Sequence, residues 1–299
     1  MAVRPHFPNT GVRASTHARI AGALALVMAA SAFTAQGAAA DDQPTHYAGW
    51  SMDDAEGRVA HAVDGAGAAN PAADLRFTPG VEFGQPGNLP WDGDRSVRLD
   101  GRREFGRVRP IVDTTERFMF SVWVKLAALE GDQVAISQGA ADGSVFELGW
   151  IGGRWAFRHR TVHGDVVTSV TRDMPQAADG TPWTEHWVSL MGGYDPATGD
   201  IWLRTQAEGH FDICAPDEPW NCETRPLMPP ETKVAPIGWT ASPAAGPLLF
   251  GATSRDGRRR SFWNGWLDDS LLRPLTHTDE PQLRVIYGET VPTPPTDRT

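Results

Sequence analysis

An all-β, two-sheet antiparallel sandwich is the fold class this sequence predicts, on three observations. After residue 40 the chain alternates apolar and polar residues over short runs, the period-two signature of strands that bury one face. Gly, Pro, Asn and Asp bound those runs and helical period is almost absent, which indicates a sandwich or barrel. The chain has 299 residues, and the part after the first forty suits one large β-sandwich, a class that routinely runs to about 200–250 residues.

The elements follow in order. Residues 1–40 read as a secretory signal: Arg4, Arg13 and Arg19 precede an apolar run from Ile20 to Ala35, and Ala38, Ala39 and Ala40 supply the small residues of a cleavage site before Asp41. The apolar run is short for a transmembrane helix, which needs about 20 apolar residues, and nothing later is long enough, so no membrane span is expected in the mature chain. In Phe118–Lys125 the residues Phe118, Phe120, Val122 and Val124 fall on one face of a strand and Met119, Ser121, Trp123 and Lys125 on the other. Val145–Ile151 and Arg154–His159 are two strands joined by Gly152-Gly153, a pair suited to the positive φ of a two-residue hairpin turn. Tyr194–Gly199 repeats the device with Pro196 and Gly199 in a longer turn that leads into Asp200–Arg204. Later strands fit Pro247–Ala252 and Gly265–Leu272, and a short helix fits Asp279–Tyr287. Residues 41–288 thus form one domain. Within it, 210–236 is Pro-rich, carries both cysteines and reads as a functional insertion with little strand pattern; 289–299 is a Pro/Thr tail of disordered composition.

Charge and cysteine usage narrow the partners. The chain carries 37 acidic against 27 basic residues, a formal charge of −10, and the signal segment removes three Arg and no acid. That balance disfavours nucleic acid and anionic membranes, whose binding rests on clustered Lys and Arg; the four arginines between Arg255 and Arg260 read as a solvated hairpin tip. Cys214 and Cys222 lie close together in an exported chain, where an oxidising compartment lets such a pair join, with two free thiols or a metal pair as alternatives. A second close pair of Cys or His, which a zinc site would need, is absent.

Three segments in fixed order, Ser96–Gly101, Phe118–Lys125 and Asn264–Leu272, with Trp183, Trp187 and Tyr194-Asp195 between the second and third, resemble the laminin-G-like jelly roll of concanavalin A-like type found in secreted actinobacterial proteins. Trp50–Asp54, Val63–Gly67 and Leu99-Asp100-Gly101 resemble further elements of that family. Thr205-Gln206-Ala207 departs from it where an Asn-Gly turn is usual, which puts the geometry after Leu203 in question. The resemblance implies a non-catalytic module that binds a glycan or other cell-surface ligand, and in some related folds a structural calcium. Asp268 matches the acidic residue offered to that ion, and Asp64 is a second candidate from the opening loop, each against the alternative of an Asp that caps a turn.

Catalytic signatures are thin. The Glu-x-Asp-x-x-Glu strand of related glucanases is missing and Glu147 stands alone in its strand, so no catalytic residue is assigned; a divergent glycoside hydrolase or polysaccharide lyase, or a structural envelope protein, are the alternatives. His159 and His163 read as surface histidines. Among twelve tryptophans, Trp123, Trp155 and Trp187 are expected to fill the core. Trp220 in the Cys loop and Trp239 and Trp263 beside turns are expected to be exposed and to stack on sugar rings.

Overall fold

The computed structural model describes residues 48–274 apart from 54–56, 90–92, 140–142, 162–166, 176–183, 185 and 216–217, and for 208–227 and 229 the backbone alone. The signal segment, the Asp279–Tyr287 helix, the tail and Trp183 lie outside the described residues.

In chain order the strands are β1 (Ala48–Trp50), β2 (Val59–Ala60), β3 (Leu75–Phe77), β4 (Glu82–Pro86), β5 (Arg95–Asp100), β6 (Gly106–Val108), β7 (Phe118–Leu126), β8 (Gln133–Gly139), β9 (Ser144–Ile151), β10 (Arg154–Arg160), β11 (Val167–Arg172), β12 (Val188–Asp195), β13 (Asp200–Ala215), β14 (Glu218–Pro236), β15 (Leu248–Phe250), β16 (Thr253–Arg255), β17 (Arg258–Arg260) and β18 (Asn264–Pro274). Sheet A runs β14-β13-β12-β7-β18-β5-β4, with β1 also on β18, and sheet B runs β11-β10-β9-β8-β15-β6-β3-β2. Every strand pairing is antiparallel. The β16–β17 hairpin forms a small sheet of its own, tied to sheet B by a bridge from Arg255 to Gly143.

The sandwich closes on an aromatic seam. Phe118, Phe120, Val122 and Val124 on β7 are buried and face the other sheet, as their alternation predicts. Phe146 on β9 meets Phe118 at 5.2 Å and Phe120 at 5.3 Å between ring centroids, and Trp50 on β1 meets Phe250 on β15 at 5.1 Å. Gly152 and Gly153 take φ of 63° and 75° and close the β9–β10 hairpin. In the β12–β13 turn, Asp195 Oδ1 accepts from Arg117 Nη2 at 2.9 Å and from the Ala197 amide at 2.9 Å, so a buried ion pair holds the turn.

Two sequence expectations are corrected and one is located. Segment 210–236, expected to show little strand pattern, instead continues the β13–β14 pair as a long two-stranded arm on the edge of sheet A. The departure at Thr205–Ala207 is where the register shifts, once between Thr205 and Ala207 and again between Ala207 and His210. His159 is not a surface histidine. It follows Trp155 and Phe157 on the inward face of β10 and is fully buried, its ring 5.5 Å from Tyr194 and 6.4 Å from Trp239. The period-two run Trp155-x-Phe157-x-His159 carried that information.

Burial lowers the His159 pKa from 6.5 to about 4, and neither ring nitrogen has a hydrogen-bond partner among the described residues. The folded state therefore refuses a proton that the unfolded chain takes up below 6.5, and stability present above that pH is lost as pH falls toward 4. A shift of that size is worth roughly 3 kcal/mol at the acid end. Urea unfolding at pH 7.5 and pH 5 should show the loss, and His159→Phe should flatten it; equal slopes in the two proteins would show that other groups set the acid limit.

Candidate functional site

Three polar constellations lie outside the core. The first sits on the outer face of sheet A. Asp268 follows Trp266 by two residues on β18 and shares its outward face, opposite Trp123 on β7, yet it is fully buried, because the loop between β4 and β5 folds over it. The Asn88 amide nitrogen donates to Asp268 Oδ2 at 2.9 Å and the Asp269 amide to Oδ1 at 2.8 Å. In the orientation that satisfies both neighbours, the Asn88 side chain donates to Asp268 Oδ2 at 3.0 Å and accepts from Trp123 Nε1 at 3.2 Å. Asp94 Oδ2 accepts from the Leu89 amide at 2.7 Å, and Gly87 is needed beneath both acids: a Cβ there would stand 2.0 Å from Asp94 Oδ2 and 2.8 Å from Asp268 Oδ2. Desolvation, then the neighbouring Asp269, push the Asp268 carboxyl up to about 9. Desolvation, then Asp94 and Asp53, push Asp269 up to about 7. At neutral pH Asp268 keeps its proton.

A second constellation lies on the outer face of sheet B. Glu147 is not solvent-facing: it is buried, with Oε1 accepting from Thr253 Oγ1 at 2.6 Å and Oε2 paired with Arg160 at 3.2 Å and Arg158 at 3.5 Å. A carboxylate so paired is a structural anchor for the β16–β17 hairpin.

The third is a pocket of about 380 Å³ where the β5–β6, β7–β8 and β17–β18 connections meet. Asp100, Arg102, Glu130, Asp132, Phe262 and Asn264 are among its lining. Gln133 braces it, donating to the Ala128 carbonyl at 2.8 Å and accepting from the Asn264 amide at 2.9 Å. Asp100 Oδ1 accepts from the Arg102 amide at 2.8 Å and so fixes the β5–β6 turn. The cavity offers carboxylates, an amide, a guanidinium and one aromatic ring, a donor and acceptor set suited to hydroxyl groups.

Of the sequence candidates, Trp263 is corrected: it is fully buried, parallel to Trp155 at 6.5 Å, and donates to the Trp266 carbonyl at 3.3 Å. Trp239 is half-buried and packed against the core edge, near His159. The Trp220 backbone lies in β14, and its side chain is outside the described residues. Asp64 Oδ1 accepts from the Ala66 and Ala68 amides, each at 2.9 Å, in a turn cap. Among the described residues no group of three or more His, Cys, Asp or Glu side chains is arranged to hold a metal ion. Trp155 is core, but Trp123 and Trp187 are half-buried on the outer side of sheet A. There Lys125 Nζ lies 4.4 Å from the Trp266 ring and 5.1 Å from Trp187, and Arg98 lies 5.3 Å from Trp266. Sequence reasoning missed the loop pocket because its lining comes from three connections far apart in the chain.

No family model and no curated protein matches the chain. Solved structures similar to it include the botulinum neurotoxin type G receptor-binding domain, at 13% identity and TM-score 0.47 over 82% of this chain and 54% of that one. Domain 4 of AbnA, an extracellular arabinanase from Geobacillus stearothermophilus solved with arabinotriose, is similar at 13% identity and TM-score 0.46 over 79% of this chain and 96% of that one. The binding domain of botulinum neurotoxin serotype D gives 13% identity and TM-score 0.48 over 81% and 51%. The chain spans about half the length of the two toxin domains.

The state of Asp268 has a measurable sign. The folded protein holds a proton that the unfolded chain releases above 3.8, so the contribution is complete below that pH and is lost as pH rises toward 9. A carboxyl-carbon NMR titration in chelator should show one Asp moving near pH 9, absent in Asp268→Asn; a wild-type spectrum with every carboxyl titrating below pH 6 would contradict a buried, protonated Asp268.

Proposed function

We propose that this chain is a secreted, non-enzymatic module of laminin-G-like architecture that binds carbohydrate or a glycan-bearing cell-surface ligand. The observation that carries the reading is the loop-end pocket. Its volume of about 380 Å³ falls in the ordinary range for small-ligand sites, about 300–1,000 Å³, and planar carboxylate and amide groups beside Phe262 match the alternating hydroxyls and apolar face of a sugar ring. The non-catalytic part of the reading rests on Glu147, the strand carboxylate, being consumed by Arg158, Arg160 and Thr253. A glycan array, with hydrolysis followed in the same samples, tests it. Phe262→Ala should weaken binding by roughly 1–3 kcal/mol, the range for stacked aromatic contacts. Turnover of a bound glycan would make the protein an enzyme, and silence on both counts would favour a structural envelope role.

The long arm is a second contact region on this reading. Its register sets Cys214 directly opposite Cys222, and opposed residues in an antiparallel pair have Cα atoms about 4.5–5.5 Å apart, within the range a disulfide spans. A cross-strand disulfide would stiffen the arm that carries Trp220. Non-reducing peptide mapping should link the two cysteines, and Trp220→Ala should lower glycan affinity with little change in melting temperature; two alkylatable thiols in freshly exported protein would remove the staple.

Structural calcium is proposed at Asp268, with Asp94 as the neighbouring carboxylate and Asp64 as a separate candidate in the opening loop. Asp268 and Asp94 crowd one spot above Gly87, and a cation bound there would take the place of the Asp268 proton. Calcium should raise the melting temperature by mass action, and Asp268→Asn should weaken that gain. Equal melting in chelator and in excess calcium would leave Asp268 as a protonated structural residue.

A further inference from the structure

The outer face of sheet B collects arginine in a chain that is otherwise acidic. One cross-strand row runs from Arg76 on β3 through Arg107 on β6, Leu249 on β15, Ser137 on β8 and Glu147 on β9 to Arg158 on β10. The β16–β17 hairpin lies over the middle of this row. Thr253 bonds Glu147 on one flank, and on the other Arg259 lies 5.6 Å from the Phe105 ring and donates to Ser254 Oγ at 2.7 Å. Arg255, Arg258 and Arg260 are exposed on the hairpin, as are Arg76 and Arg107 on the sheet.

Two features make this more than a solvated tip. Arg76 is directly opposite Arg107, and Arg255 directly opposite Arg258; like charges in that position destabilise a sheet. None of Arg76, Arg107, Arg255, Arg258 and Arg260 has an ion-pair partner among the described residues. Among the described residues, nearby acids do not offset them: Glu147 is occupied by Arg158 and Arg160, Asp132 lies 3.8 Å from Arg158, and Asp256 stands exposed in the hairpin turn. Arg259, drawn down by burial and by Arg107, feels the same crowding.

We propose that this face, sheet B with its β16–β17 hairpin, docks an acidic polysaccharide, a chain bearing carboxylate or sulfate groups. The inference rests on the carbohydrate reading above and names the ligand class for a second surface, separate from the loop pocket. Arginine's planar fork pairs two-pronged with carboxylate and similar oxyanions. Within each opposed pair, Arg76 with Arg107 and Arg255 with Arg258, the strand pairing spaces the cations by about 5 Å, a spacing suited to a flexible polymer carrying separated charges. Duplex nucleic acid, with one charge per about 1.7 Å, and an extended anionic membrane would both also meet the acidic remainder of a molecule whose net charge is −10.

The test uses the exported chain with heparin as the sulfated probe, polygalacturonate as the carboxylated probe and dextran as the neutral one. The expected result is binding to heparin, polygalacturonate or both, weakened by added salt as released counterions compete, with no binding to dextran on this face. The triple variant Arg255→Gln, Arg258→Gln, Arg260→Gln should lose about tenfold or more in affinity, equivalent to about 1.4 kcal/mol, at unchanged melting temperature. Should that variant fold poorly, Arg76→Gln with Arg107→Gln on the sheet should give the same loss. Arg98→Gln, on the opposite sheet, should bind as wild type. Undiminished affinity in the folded arginine variants overturns the inference, as does equally tight binding of single-stranded DNA or phosphatidylserine vesicles at physiological salt. Neutral glycans bound without acidic ones also overturn it and leave the carbohydrate reading standing; no binding to any glycan overturns both.

Discussion

The contact on which the rest of the molecule depends is the inter-sheet seam of Phe118, Phe120 and Phe146, extended by Phe157 at 5.9 Å from Phe146. Because strand side chains alternate with period two, fixing Phe118 and Phe120 inward fixes Met119, Ser121, Trp123 and Lys125 outward, and a one-residue slip would turn the whole strand over. The seam thereby sets register for β7 and, through pairing, for β12 and β18. Functional chemistry is left with the outer faces, the connections and the edge.

Those outer faces solve the problem of buried charge in two ways. On sheet B, Glu147 is paired with Arg158 and Arg160, and its bond from Thr253 anchors the hairpin. On sheet A, Asp268 has amide donors but no cationic side chain against it among the described residues, and burial beside Asp94 and Asp269 drives it to hold a proton instead. Both outcomes follow from one rule, that a buried carboxylate must be neutralised. Their consequences differ: the ion pair is spent on architecture, whereas the protonated acid leaves a place where a cation could exchange for a proton.

How much of this was legible in the sequence depended on whether the relevant signal was local. The β9–β10 hairpin was readable because Gly152-Gly153 supplies two consecutive positive φ values, and β7 because four apolar residues alternate. His159 was readable too from its phase, two positions after Phe157, although histidine is a residue type found at surfaces as well as in cores. Trp263 and Glu147 were not legible. Each is buried by a segment distant in the chain, Trp263 by stacking on Trp155 and Glu147 by the hairpin at Thr253. The Cys-bearing segment misled for a different reason: its prolines suggest a loop, but an edge strand tolerates Pro where no ladder hydrogen bond is needed, and β14 is the edge of sheet A.

The same edge logic bears on where a ligand can be met. β14 is long and carries Pro at 219, 226, 229, 230 and 236, which interrupts the donor row that would invite another strand to pair. Strand addition is therefore disfavoured along the arm. Sheet B presents its arginines in the complementary manner, across a row of strands rather than along an edge, so that rigid backbone spacing sets the distance between charges. A sandwich of this kind separates its tasks by surface: the interior specifies register, the loop ends make a cavity, and the outer face of each sheet is free to carry a charge pattern the core neither requires nor constrains.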